Sequence, residues 1–129
     1  MKTIRLALAC LVTTAAVVAV ASPAEARPQT LDSYCSPTGD FCQEIVRARK
    51  TGAIKFRLVS FAFSGPYEVC VKGPDGKACR DGRLENSNGS FADSISWQKE
   101  FPIGPGGYKV VWKLGGEKIG RTLQFGVDL

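Results

Sequence analysis

The chain has 129 residues, 17 Lys and Arg against 12 Asp and Glu, a formal charge of +5, and no histidine. That length leaves room for one domain. The missing histidine excludes Ser-His-Asp and Cys-His nucleophilic machinery, the commonest general base near neutral pH, and His-ligated zinc or copper.

Lys2 and Arg5 precede an uncharged stretch, Leu6 to Val20, and Ser22-Pro23-Ala24-Glu25-Ala26 then closes in a small-x-small pattern. This is the form of a cleavable signal peptide over residues 1–26. The apolar stretch falls short of the roughly 18 residues of a membrane span, so no stable membrane insertion is expected after cleavage. Cys10 sits inside that stretch without a lipoprotein context and is expected to leave with the peptide. The expected mature domain, 27–129, keeps 15 basic and 11 acidic side chains, a net +4. Export argues against a nucleic-acid partner. Such a charge serves solubility and would also favour an anionic polymer of a cell envelope.

Four cysteines follow the leader: Cys35, Cys42, Cys70 and Cys79. An even count in a small exported chain points to two disulfides. Intervals of six and eight residues are not the tight Cys-x-x-Cys knuckles of zinc sites. Four cysteines allow three pairings. A tight turn at Thr38-Gly39 would set Cys35 opposite Cys42, and pairing of Lys72 with Lys77 would set Cys70 opposite Cys79. A shift of one residue in the second turn would oppose Cys70 to Arg80 instead.

Strands separated by turn residues account for the rest. Ala53 to Leu58 alternates apolar and basic, the period of a half-buried strand. Val59 to Phe63 carries its large groups on the opposite parity, which predicts a bulge or a crossing between sheets, with Ser64-Gly65-Pro66 as the stop. Tyr67 to Lys72 alternates again before the turn signal Gly73-Pro74-Asp75-Gly76. Asp81 to Ala92 has no clear pattern and is expected to be a mobile loop. Ile95 and Trp97 share a face in the segment Ser94 to Phe101. Tyr108, Val110, Trp112 and Leu114 form one face of the next strand, with Lys109 and Lys113 on the other. After Gly115-Gly116, Leu123, Phe125 and Val127 alternate to the end. No helical periodicity of useful length and no internal repeat interrupts this pattern.

About seven to eight short strands in roughly a hundred residues predict an all-β fold, an immunoglobulin-like β-sandwich. Pro105-Gly106-Gly107-Tyr108-Lys109-Val110 resembles the tyrosine corner of immunoglobulin-like domains, where a Tyr stands two residues before an inward-facing core position, here Val110. The cysteine positions depart from the antibody pattern, so the resemblance implies a fold and no immune-type recognition. The opening Cys35 to Cys42 is similar to that of small secreted bacterial proteins with no assigned activity, which implies no function.

Candidate chemistry is sparse. Asp75, Asp81, Glu85 and Asp93 lie in or near expected turns, where Asp serves backbone hydrogen bonding, and no pair stands out as a glycosidase couple. Asn86-Ser87-Asn88-Gly89 lacks the acids of a calcium loop, with Leu84 and Ile95 where they would be required. Asn88-Gly89-Ser90 has the form of a glycosylation acceptor. Trp97 and Trp112 share faces with core residues, which leaves Tyr34 and Tyr67, next to turns, as surface aromatics. Arg47, Arg49 and Lys50 form a basic cluster that reads either as an anionic-polymer contact or, preferentially, as edge-strand protection, with both arginines projecting from one face.

The sequence therefore predicts a secreted, non-enzymatic, disulfide-stapled domain without a cofactor or metal. Its expected role is an extracellular or cell-envelope binding module for an envelope polymer or an extracellular protein. Its contacts would come from loops such as Asp81 to Ala92 and Phe101 to Gly107. The alternative is a small secreted hydrolase inhibitor that presents Pro74 and Asp75 on the loop closed by Cys70 and Cys79.

Overall fold

The computed structural model describes residues 27–128. The expected signal peptide lies outside these residues. Eight antiparallel strands follow one another: β1 (Gln29–Cys35), β2 (Phe41–Arg47), β3 (Ile54–Ser60), β4 (Gly65–Gly73), β5 (Gly76–Ser87), β6 (Ser90–Ser96), β7 (Gly106–Leu114) and β8 (Glu117–Val127). They pair in the order β1-β2-β3-β6-β5-β4-β7-β8, a single sheet that curls until its two edge strands meet.

Period-2 alternation drives the curl, because each strand must turn its apolar face inward. Ile54, Phe56 and Leu58 of β3, Tyr67, Val69 and Val71 of β4, and Tyr108, Val110 and Trp112 of β7 are all buried. Phe56 lies at the centre, edge-on to Phe101 at 5.6 Å and to Trp112 at 6.5 Å. Phe101 reaches it from the β6–β7 connection, and its neighbour Glu100 pairs with Arg80 of β5.

The bend between the two halves of the sheet falls within β5. Residues 76–84 pair with β4 and residues 85–87 with β6, so one long strand serves two neighbours. Asp93 of β6 braces this crossing. One oxygen of its carboxylate accepts the Tyr67 hydroxyl at 2.9 Å and the Arg83 backbone N–H at 3.0 Å.

Three expectations are corrected here. Asp81 to Ala92 is no loop: it is the end of β5, a two-residue turn and the start of β6. Asn88 and Gly89 hold φ of 51° and 92°, the left-handed pair that a tight hairpin turn requires. Its polar composition follows from how little of this hairpin faces the core, with Leu84 buried and Glu85, Asn86 and Ser87 exposed. No parity switch occurs at Val59 either. β3 ends at Ser60, whose buried Oγ accepts the N–H groups of Ala62 and Phe63 at 3.1 and 2.8 Å and turns the chain outward. Phe61 is left 60% exposed, and Gly65 and Pro66, expected as a stop, begin β4. Finally, β2 is paired on both sides, so Arg47 protects no sheet edge.

Both disulfides span antiparallel neighbours, Cys35–Cys42 across β1 and β2 and Cys70–Cys79 across β4 and β5. In the second hairpin Lys72 faces Lys77 and Gly73 faces Gly76, which leaves Pro74 and Asp75 as a two-residue turn.

The seam between the sheet's edges is closed by side chains. Asp32 of β1 accepts the Gln124 N–H at 2.9 Å and pairs with Arg121 at 3.3 Å. Arg121 also donates to the Ser33 carbonyl at 3.1 Å and lies 5.6 Å from the Tyr34 ring centre. Beneath this seam, β8 bulges: residues 120–122 stand opposite Val111 alone, between the pairs Val110–Leu123 and Trp112–Ile119. Gln43 of β2, fully buried, fills the bulge. Its Nε2 donates to the Ile119 carbonyl at 3.3 Å and its Oε1 accepts the Arg121 N–H at 3.1 Å. A primary amide thus supplies β8 with both halves of a peptide group. Gly120, at φ +63°, gives the amide room, because a Cβ there would collide with Oε1.

Gln43→Leu keeps the volume and removes both hydrogen bonds. The expected cost is about 3 kcal/mol, since a buried donor and acceptor lose their partner. For a domain of this size that lowers Tm by roughly 10–20 °C, measured by calorimetry. A fall of less than about 2 °C would show that the amide does not hold the bulge.

Candidate functional site

Strand register gathers most of the candidate residues at one end of the molecule. The β2–β3 turn, the Pro74-Asp75 turn and the β6–β7 connection (97–105) all lie there, because Arg47 pairs with Ile54, Gly73 with Gly76 and Lys55 with Ser96. Arg47 is half-buried at the end of β2, whereas Arg49 and Lys50 are exposed in the turn that follows. The two arginines do not share a strand face, since the strand stops at Arg47. Arg49 Nε donates to the Arg27 carbonyl at 2.8 Å.

Tyr108 organises the opposite side of this end. Its hydroxyl donates to the Gly104 carbonyl at 2.8 Å, and its ring stacks on Phe125 with centroids 5.1 Å apart. Burial, aided by the nearby Asp75 carboxylate, pushes the phenol's pKa up. Trp97 meets both rings edge-on, at 5.0 Å from Tyr108 and 5.1 Å from Phe125, and donates Nε1 to the Pro102 carbonyl at 2.9 Å. It is half-buried packing, and Trp112 is fully buried. Of the two tyrosines expected at the surface, Tyr34 is half-buried beside Arg121 and Tyr67 is buried, because its ring lies inside the β4–β5 bend with its hydroxyl on Asp93. A cleft of about 330 Å³ opens between Pro74, Tyr108 and Phe125, with Lys72, Lys109 and Gln124 on its rim.

From that rim, a smaller groove of about 190 Å³ runs onto the outer face of β5, β4, β7 and β8. Cys70, Val111 and Thr122 form its floor, and Lys72, Lys77, Lys109 and Lys113 ring it. Three of the lysines lie in one row. Lys77 faces Lys72, Lys72 faces Lys109, and Lys109 faces Gln124, so the row crosses four strands without an acid. The ion pairs among the described residues, Arg57–Glu44, Arg80–Glu100 and Arg121–Asp32, involve none of these lysines. Lys113 differs, since Glu68 stands opposite it. Like charges set directly opposite in a sheet destabilise it, by up to about 1 kcal/mol for a pair. The row therefore works against the stability of the strands that carry it.

Glu68 also lies beside Cys70 and Cys79, but both sulfurs are bonded to each other, so this group offers no thiolate to a metal. The groove thus presents four lysines, with the Gln124 amide and the Thr122 hydroxyl, and the Glu68 carboxylate lies at its Cys70 side.

Sequence reasoning had the two separate parts of this lysine ring. Lys109 and Lys113 share an outward face by alternation, and Lys72 opposite Lys77 follows from the turn. What joins them is the pairing of β4 with β7, which no local pattern announces.

No protein-family model and no curated protein matches the chain. Among solved structures, the "Crystal structure of Br derivative BhCBM56" is similar at 15% identity and a TM-score of 0.43, over 74% of this chain and 99% of that one. That likeness is too low to fix a shared fold or to bear on function.

Buried tyrosines make stability sensitive to alkali. The Tyr67 pKa is raised by burial and by its hydrogen bond to Asp93. Its contribution is therefore complete below about pH 10, the unfolded value, and declines as pH rises beyond it. Chemical denaturation at pH 9 and pH 11 should show the native protein losing more stability than Tyr67→Phe over that interval. Equal losses would mean that the phenol ionises freely in the fold.

Proposed function

We propose that the protein is a secreted, non-enzymatic binding module, an immunoglobulin-like β-sandwich of residues 27–129 released from a signal peptide at 1–26. The lysine-ringed groove on the outer face of β5, β4, β7 and β8 is its contact surface. The observation that carries this is the acid-free row of Lys77, Lys72 and Lys109. A like-charged row with no acid in direct register costs stability, which is the arrangement expected of a surface awaiting an anionic partner. The sandwich architecture is supported by the Tyr108 hydroxyl returning to the backbone four residues upstream, in the manner of a tyrosine corner. Export is supported by two disulfides. Non-enzymatic action is supported by the absence of histidine and by tyrosine phenols pushed away from working pH.

Arg47, Arg49 and Lys50, with Pro74 and Asp75, would form a secondary contact at the nearby end. The inhibitor alternative draws less support. A protease takes its substrate as an extended segment, whereas Pro74 and Asp75 form a two-residue turn between paired strands.

The test is expression of the full chain in a secreting host, followed by passage over immobilised envelope polymers with product analysis. Retention of an oxidised protein beginning near Arg27, with the polymer intact, is expected. Release of shortened polymer, or recovery with free thiols, would contradict it.

A further inference from the structure

We infer that the groove's ligand is an acidic polysaccharide bearing carboxylates along an extended chain, an inference that rests on the module reading above. The spacing of the charges is the first argument. Lys77, Lys72 and Lys109 sit on three adjacent strands in direct register, so their stems are set about 4.8 Å apart along the curve of the sheet. That interval is close to the length of one sugar ring, and the flexible lysine stems let the ammonium groups follow carboxylates that alternate in direction along an extended chain.

The neutral groups give the second argument. Gln124 continues the row beyond Lys109, and Thr122 lines the groove, so amide and hydroxyl groups lie beside the cations. A sugar ring offers hydroxyls to match them. Val111 and Cys70 supply a small apolar floor on which a ring's C–H face can rest.

What the face lacks separates polysaccharide from nucleic acid. Single-stranded nucleic acid is held by aromatic platforms that stack bases. The groove lining contains Cys70, Val111, Thr122 and lysines, and Tyr108 beside it is buried against Phe125.

The probe is polygalacturonate, compared with the same polymer fully methyl-esterified, with double-stranded DNA and with polyphosphate, using affinity electrophoresis and calorimetry of the purified protein. Polygalacturonate should bind, the ester should not, and raising salt from about 50 to 200 mM should weaken binding roughly tenfold or more. Lys72→Glu and Lys109→Glu should each weaken it by about fivefold or more, while Lys55→Glu, an equal charge change on β3, should alter it less than twofold. Both groove variants should keep or raise Tm, because each relieves the row; a lower Tm would make the row structural and overturn the proposal. Equal binding to the ester, or tighter binding to DNA or polyphosphate, would overturn the ligand class and leave a binding module in place. Failure to bind any of the four would overturn the acidic-polysaccharide assignment, and the envelope-polymer retention assay judges the module separately.

Discussion

The fold depends on one buried amide. A sheet that curls through eight strands must join its two edges, and here the joint at β8 is a bulge with three residues opposite one. Such a bulge leaves backbone polar groups inside the molecule, where an unpaired group is costly. Gln43 answers with a donor and an acceptor in the geometry of a peptide unit, from the opposite half of the sheet. Outside it, Asp32 and Arg121 repeat the tie in a half-exposed setting, where ion pairs contribute little alone but fix direction. The seam is therefore held by hydrogen-bond accounting more than by charge.

That closure has a consequence for the outer face. The core around Phe56 is packed by Trp112, Phe101 and Phe125. The proposed contact surface lies on the outside, on the half of the sheet stapled by Cys70–Cys79. A charged row on such a face loses no backbone entropy on binding, because its strands are already ordered, and the cost that remains is that of the lysine side chains. The bulge bears on this half as well: Val111, which faces residues 120–122, also forms the groove floor together with Thr122.

Local patterns made much of this legible. Alternation located β3, β4, β7 and β8, and the turn at Pro74-Asp75 set the register that brings Cys70 beside Cys79. The same patterns failed where the core supplied no signal. Residues 81–92 looked shapeless because their strands bury only Leu84 in that hairpin, although Asn88-Gly89 is itself a hairpin turn signal that was available and was not weighed as one. Tyr67 was expected at the surface because turns flank it, yet Asp93, 26 residues away, gives its hydroxyl a partner inside. Gln43 and the lysine row share this character. Each depends on a neighbour distant in the chain, 76 and 78 residues for the two Gln43 bonds, and composition holds no trace of such pairings.

Native-state hydrogen exchange at the Arg121 amide tests the central claim most directly, because this amide, outside the β7–β8 register, donates to the Gln43 side chain. The account predicts protection on a par with the Val110 and Leu123 amides of the adjoining ladder, lost selectively in Gln43→Leu. Exchange at the rate of an open turn in the native protein would contradict it, and with it the view that a side-chain amide closes the sheet.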